Sequence, residues 1–138
     1  MKLLKVPMIG IDTNILVRYV TGDDETQSEK VDKLIDQYVG KSASIFINNI
    51  VICELIWVLE KGYKYHKNQI VTVLKEVAVT LEFCFEDHQT FWLSIIEYEK
   101  STVDFSDILI GNINIVKGCT ENFTFDLKAS SLLLFKLL

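Results

Sequence analysis

The chain predicts an α/β fold: one domain with a mainly parallel central sheet of four to five strands and helices on both faces. Three observations predict it. Short apolar or β-rich runs recur at residues 8–11, 44–48, 81–85 and 122–125. The segments between them carry apolar residues at helical spacing. Strands that alternate with helices in this way pair in parallel, because each helix is the crossover that returns the chain to the same sheet edge. At 138 residues and 49% hydrophobic content, the chain is long enough to bury about two-thirds of its unfolded surface.

The opening run, Met8-Ile9-Gly10-Ile11, reads as a buried parallel strand, expected at the centre of the sheet. It stops on Asp12, and Thr13-Asn14 then begins a helical pattern. That places Asp12 at the strand's carboxyl end, the edge where open α/β sheets bind ligands. Asp12 and Asn14 are equally favoured helix N-caps, so capping is the competing explanation.

Residues 13–20 form a short helix and 21–24 a turn. An amphipathic helix over 25–39 then presents Val31, Leu34, Ile35 and Tyr38 on one face, and the segment 40–42 ends it. After the strand at 44–48, a strongly apolar helix over 50–61 stops at Gly62, in the place of a C-terminal cap. The helix at 68–80 carries an apolar stripe of Ile70, Val71, Leu74, Val77 and Ala78. A third strand at 81–85 and helices at 88–100 and 104–117 follow, the last closing at Gly118. The fourth strand ends on Asp126, and the tail at 132–138 reads as a last edge strand.

The net charge of −5 argues against a grip on nucleic acid through bulk charge, so chemistry on nucleic acid would need a metal ion or a local basic patch. No run approaches the ~18 apolar residues of a membrane span. Residues 1–7 read as a leader, with Met8 as an alternative start. Cys53, Cys84 and Cys119 are far apart, form no C-x-x-C pair and sit in apolar patterns. They read as buried thiols in a reducing, cytoplasmic setting.

Four carboxylates stand in positions that composition does not explain. Glu54 has Ile50, Val51, Trp57 and Val58 as its neighbours at helical spacing. A charge on such a face is expected to be buried and costly unless something pairs with it. Asp104 and Asp107 share a helix face at i, i+3. Acids in a first helical turn also simply suit the helix dipole. Asp126 repeats the situation of Asp12, ending a strand before a polar turn. Carboxylates gathered at one sheet edge repel, and such a group implies a hard divalent cation with oxygen ligands, Mg²⁺ or Mn²⁺. The segment Lys61-Gly62-Tyr63-Lys64-Tyr65-His66-Lys67 interleaves cations with aromatics, as a rim for single-stranded RNA would. A solvated loop explains it as well. His66 and His88 have no partner at ligand spacing. No phosphate-binding glycine loop or nucleophile elbow is present.

Together these residues resemble the PIN-domain family and, within it, the VapC-type toxin ribonucleases of toxin–antitoxin pairs. Asp12-Thr13-Asn14-Ile15-Leu16-Val17-Arg18 resembles the family's opening motif. Glu54 in Glu54-Leu55-Ile56-Trp57-Val58-Leu59-Glu60 resembles the second, Asp104-Phe105-Ser106-Asp107 the third and Thr124-Phe125-Asp126 the fourth. The resemblance runs over residues 8–138 and implies a PIN-like nuclease domain there. It implies an endoribonuclease dependent on Mg²⁺ or Mn²⁺, with Asp12, Glu54, Asp104 and Asp126 in an acidic pocket and Asp107 as an accessory acid. Thr13, Asn14 and Thr124 would orient carboxylates and waters around it. Arg18, Lys61, Lys64 and Lys67 are the candidate RNA rim. The implied partners are RNA, a VapB-like cognate antitoxin and a second copy of the chain, with no membrane. Leu127 stands where similar sequences carry a basic residue, and Leu132-Leu133-Leu134 where many carry a Pro-Gly turn.

Two rival readings make different demands. An aspartate-nucleophile phosphatase of the HAD-like kind needs a second acid two residues after Asp12, where Asn14 stands. A catalytically silent PIN-like binding module would have lost acids, yet all four are present.

Overall fold

The structure, a computed structural model, describes residues 7–138. The reading of residues 1–7 as a leader therefore lies, Pro7 apart, outside the described residues. The chain forms two compact units, ending and beginning at Glu86 and Asp87.

In the first unit the order is β1 (Ile9–Gly10), α1 (Thr13–Thr21), α2 (Glu25–Asp36), β2 (Ile45–Ile47), α3 (Asn49–Trp57), a π turn (Val58–Gly62), α4 (Lys67–Ala78) and β3 (Phe83–Phe85). All three strands run parallel in the order β1-β2-β3, with Ile9 opposite Ile45 and Ile45 opposite Phe83. The helices between them are the crossovers that parallel pairing demands. The middle strand is β2, and Ile45 and Ile47 are fully buried on it. The opening strand is therefore not the central one, and this sheet has three strands rather than four to five.

Side-chain caps set most helix starts. The carboxylates of Asp12, Asp24 and Asp87 and the amide oxygen of Asn48 each accept from a backbone N–H three residues on. The α4 stripe of Ile70, Val71, Leu74, Val77 and Ala78 is buried, as its spacing predicts. Gly62 is not the left-handed cap expected of it. The last turn of α3 widens instead, with the Tyr63 N–H donating to the Val58 carbonyl at 3.2 Å. The left-handed residue that ends the segment is Lys64, at φ 59°.

The second unit contains α5 (His88–Lys100), α6 (Phe105–Lys117), β4 (Phe123–Thr124), a 3₁₀ turn (Ala129–Ser131) and β5 (Lys136–Leu137). The two helices meet through Phe105, whose ring lies edge-on to Phe91 at 6.3 Å and to Tyr98 at 5.7 Å. Buried Ser94 accepts a hydrogen bond from Asn112 at 2.9 Å in the same contact. The expected fourth and fifth strands pair with each other, in parallel, as a separate two-stranded sheet. The tail takes up the hydrogen bonds of β4: the N–H groups of Lys136 and Leu138 donate to the carbonyls of Asn122 and Thr124 at 2.7 and 2.9 Å.

What holds the tail there is a buried amide and a missing side chain. Asn122, 5% exposed, donates through Nδ2 to the carbonyl of Leu134 at 2.9 Å. A Cβ at Gly111 would lie 2.9 Å from the Phe135 ring and 3.2 Å from Leu134 Cβ, so only glycine lets α6 and the tail approach this closely.

Cys53 and Cys84 are half-buried, but Cys119 is exposed just past the end of α6, against the expectation of three buried thiols. Burial raises the Cys53 thiol above its ordinary pKa. Among the described residues no helix is long and apolar enough to cross a membrane.

Candidate active site

Polar residues stand at or just past the carboxyl ends of the three parallel strands. Asp12 lies two residues after β1, Asn48 directly after β2 and Glu86 directly after β3. Asp12 is in extended backbone at the head of α1, and its Oδ1 accepts from the Ile15 N–H at 3.1 Å. So it does cap the helix, through one of its two oxygens.

Glu54 is brought to the same place by a hydrogen bond that bridges 41 residues of sequence. The Thr13 hydroxyl donates to Glu54 Oε1 at 3.1 Å. This fastens the middle of α3 to the first turn of α1, the turn that Asp12 caps. The face carrying Glu54 is not buried, contrary to the expectation from its neighbours. Ile50 and Trp57 on that face are 70% and 65% exposed, and the core side of α3 is Val51, Ile52, Leu55 and Ile56. Nearly every residue of α3 is apolar, so its spacing alone does not say which side faces in.

The second unit gathers the other acids. Asp104 sits at the head of α6 and makes no capping hydrogen bond with its side chain, although its carbonyl accepts from the Asp107 N–H at 3.1 Å. Asp107 lies one turn on. Burial raises its carboxyl above the usual carboxylate range, and the negative charges of Asp104 and Asp126 raise it further. Asp126 follows β4, and its Oδ1 accepts from the N–H groups of Lys128 and Ala129 at 2.8 and 3.4 Å. The Thr124 hydroxyl accepts from the Asp126 N–H at 3.0 Å, which sets the turn that presents this carboxylate.

A model of the PIN domain matches residues 9–131 of the chain. The chain belongs to the PIN-domain family. It is also similar to a VapC ribonuclease of Aquifex aeolicus (strain VF5), 28% identical over 67 residues. That similarity spans about half of each chain, 49% of this one and 49% of the relative.

Within this PIN domain the basic candidates are placed unevenly. Arg18 is held on three sides: Nε donates to Gln27 Oε1 at 2.6 Å, and Nη1 contacts Asp23 at 3.3 Å and the Tyr63 hydroxyl at 3.1 Å. Tyr63 in turn donates to Asp23 at 2.5 Å. That hydroxyl, then the one of Thr21, then Arg18, hold the Asp23 carboxyl below the usual range. Lys61 pairs with Glu60 at 3.4 Å, an exposed contact of small energetic weight. Lys64 occupies the left-handed turn, and Lys67 opens α4. Asn14 is exposed on the first turn of α1. His66 and His88 are exposed.

Sequence reasoning missed Glu86. Its carboxylate accepts from the Asn49 N–H at 2.6 Å and so anchors the start of α3. Its place directly after a strand was the available signal, the same one that marked Asp12 and Asp126.

Among the described residues no three acids, histidines or cysteines come together as a ready metal-ligating group. The donors that are present are carboxylates, and the Asp107 carboxyl is raised by burial first and then by the charges of Asp104 and Asp126. Oxygen-only donors crowded by like charge suit a hard divalent cation, and nitrogen- or sulfur-seeking metals have nothing here to bind.

Proposed function

We propose that the chain is a metal-dependent endoribonuclease of the VapC type, the toxin of a toxin–antitoxin pair. In this reading Asp12, Glu54, Asp104 and Asp126 are the catalytic acids, with Asp107 as an accessory acid. The observation that carries the reading is the Thr13–Glu54 hydrogen bond, 3.1 Å long, in a chain of the PIN-domain family. Glu54 is solvent-exposed, so burial does not require this bond, and the bond orients a carboxylate that water alone could solvate.

Mg²⁺ or Mn²⁺ would be held by Asp12, Glu54, Asp104, Asp107 and Asp126, and when bound supplies an activated water and neutralises charge on the phosphate. The chain's own residues do the positioning. Thr13 fixes one oxygen of Glu54 and leaves the other to point elsewhere. The Ile15 N–H fixes one oxygen of Asp12 in the same manner. Thr124 and the turn after Asp126 set the fourth acid, and Asn14, exposed two residues after Asp12, would orient waters around it. Such outer contacts decide where carboxylate lone pairs aim.

An acidic pocket also suits a basic peptide with apolar anchors, and the proposed partners are a VapB-like antitoxin and a second copy of the chain. The phosphatase alternative lacks its acid, because Asn14 occupies that position.

The test is cleavage of single-stranded RNA by the purified chain. The reading expects internal cuts in Mn²⁺ or Mg²⁺ and none in excess EDTA. Intact RNA with either metal, or cutting that EDTA leaves unchanged, contradicts it.

A further inference from the structure

A cleft of about 400 Å³ opens between α1 and α2, and Asp12 stands at one end of it. Asn14 lies beside Asp12, Ile15 and Leu34 supply apolar walls, and Arg18, Gln27 and Lys30 line the rest. We infer that this cleft is a subsite for one unpaired nucleobase of the RNA, that of the nucleotide next to the bond being cut, with Gln27 reading the base edge. The inference rests on the nuclease reading above and deepens it.

The chemistry of the lining favours a nucleotide. Apolar walls accept the face of a base, while amides meet its edge, which is how unpaired RNA bases are recognised. Gln27 has its side-chain oxygen committed to Arg18 Nε at 2.6 Å. What it has left to offer is its amide N–H donors, so the site selects bases by their acceptors, such as O6 and N7 of guanine. Lys30 adds positive charge to the lining, which attracts phosphate, while the charge of Arg18 is met by Asp23. Arg18 is six residues from Asp12, roughly 9 Å along the helix. That reach covers a neighbouring nucleotide.

Arg18 is thereby a positioning residue. Asp23 and Tyr63 hold its guanidinium, and it holds Gln27 in turn. This accounts for a cation that the sequence offered as a free phosphate contact and the structure shows engaged.

Two measurements test the inference. In the first, a randomised RNA pool is cut by wild type, Gln27→Leu and Leu34→Trp, and the new ends are sequenced. Wild type should prefer one base at one position beside the cut. Gln27→Leu should flatten that preference by about tenfold, the weight of one good amide–base contact. Leu34→Trp, which fills the cleft, should do the same. Wild type that cuts, with variants that leave the profile unchanged or slow all sites alike, overturns the subsite and leaves the nuclease reading standing. Wild type that does not cut overturns the nuclease reading.

The second measurement needs no cleavage: AMP, CMP, GMP and UMP are titrated into metal-free protein while the side-chain amide signals of Asn14 and Gln27 are followed by NMR. GMP should shift both signals in wild type and neither in Leu34→Trp. No shift with any of the four overturns the subsite. So does a basic peptide that moves these signals where the nucleotides do not.

Discussion

The Thr13 hydroxyl donates to Glu54 Oε1 at 3.1 Å, joining the first turn of α1 to the middle of α3. If this bond aims the Glu54 carboxylate, Thr13→Val should cut RNA cleavage by about 10- to 100-fold, the usual weight of such an orienting contact. Its melting temperature should change little, since the pair is exposed. Thr13→Ser, which keeps the hydroxyl, should recover most of the rate. Equal rates for the Val and Ser variants would show that the bond does not position Glu54.

Gly111 and Phe135 make a second test, one of stability. Gly111→Ala places a methyl 2.9 Å from the Phe135 ring and should cost about 1–3 kcal/mol, measured by urea unfolding. Phe135→Leu in the same chain should return part of that loss, and the two substitutions should be non-additive. Simple additivity would mean that the tail does not pack on α6 at this glycine.

Asp107 predicts how metal-free stability depends on pH. Its carboxyl is raised, by burial first and then by Asp104 and Asp126. A raised folded-state pKa means that stability is fully present below the unfolded value of 3.8 and is lost as pH rises through the folded value. In EDTA, then, Asp107→Asn should melt about 2 °C above wild type at pH 7, and the advantage should vanish near pH 3. Mn²⁺ should raise the wild-type melting temperature by binding the folded state, and raise that of Asp107→Asn less. A pH-independent difference between the two proteins would contradict the crowding of these acids.

Tyr63 governs the opposite case. Its hydroxyl is the chief cause of the lowered Asp23 carboxyl. The stability linked to Asp23 is therefore present above 3.8 and lost as pH falls through the lower folded value. Tyr63→Phe should move the Asp23 titration back up, observable by NMR, and lower the melting temperature at neutral pH. An unmoved Asp23 titration would contradict the assigned cause.

The same residues show why part of this protein was legible in its sequence. Element type followed from periodicity: the α4 stripe is buried as its spacing requires, and strands alternate with helices in the first unit. Asp12 and Asp126 stand out in the sequence because a carboxylate directly after an apolar run is conspicuous. Two kinds of error arose, each with a physical reason. The first concerns α3, so uniformly apolar that Glu54 was given to the wrong side, its exposed neighbours Ile50 and Trp57 being as hydrophobic as the core. The second concerns strands two residues long, whose pairing is decided elsewhere. The partnership of β4 with β5 depends on Asn122 holding the Leu134 carbonyl and on the lack of a side chain at Gly111. Contacts between residues 12 to 24 positions apart leave no periodic trace. Bonds such as Thr13–Glu54 and Asn49–Glu86 were out of reach for the same reason.

The central claim is that Asp12 and its companions cut RNA with a divalent cation, and one substitution addresses it most directly. Asp12→Asn keeps a side-chain oxygen to accept from the Ile15 N–H, so α1 retains its cap and the fold should survive by circular dichroism. It removes the negative charge that would hold the metal and lower the pKa of its water. Purified wild type and Asp12→Asn should be compared on one RNA in Mn²⁺, with wild type in EDTA as background. The account predicts folded Asp12→Asn protein with no cleavage above that background, and cleavage by the variant at the wild-type rate would contradict it.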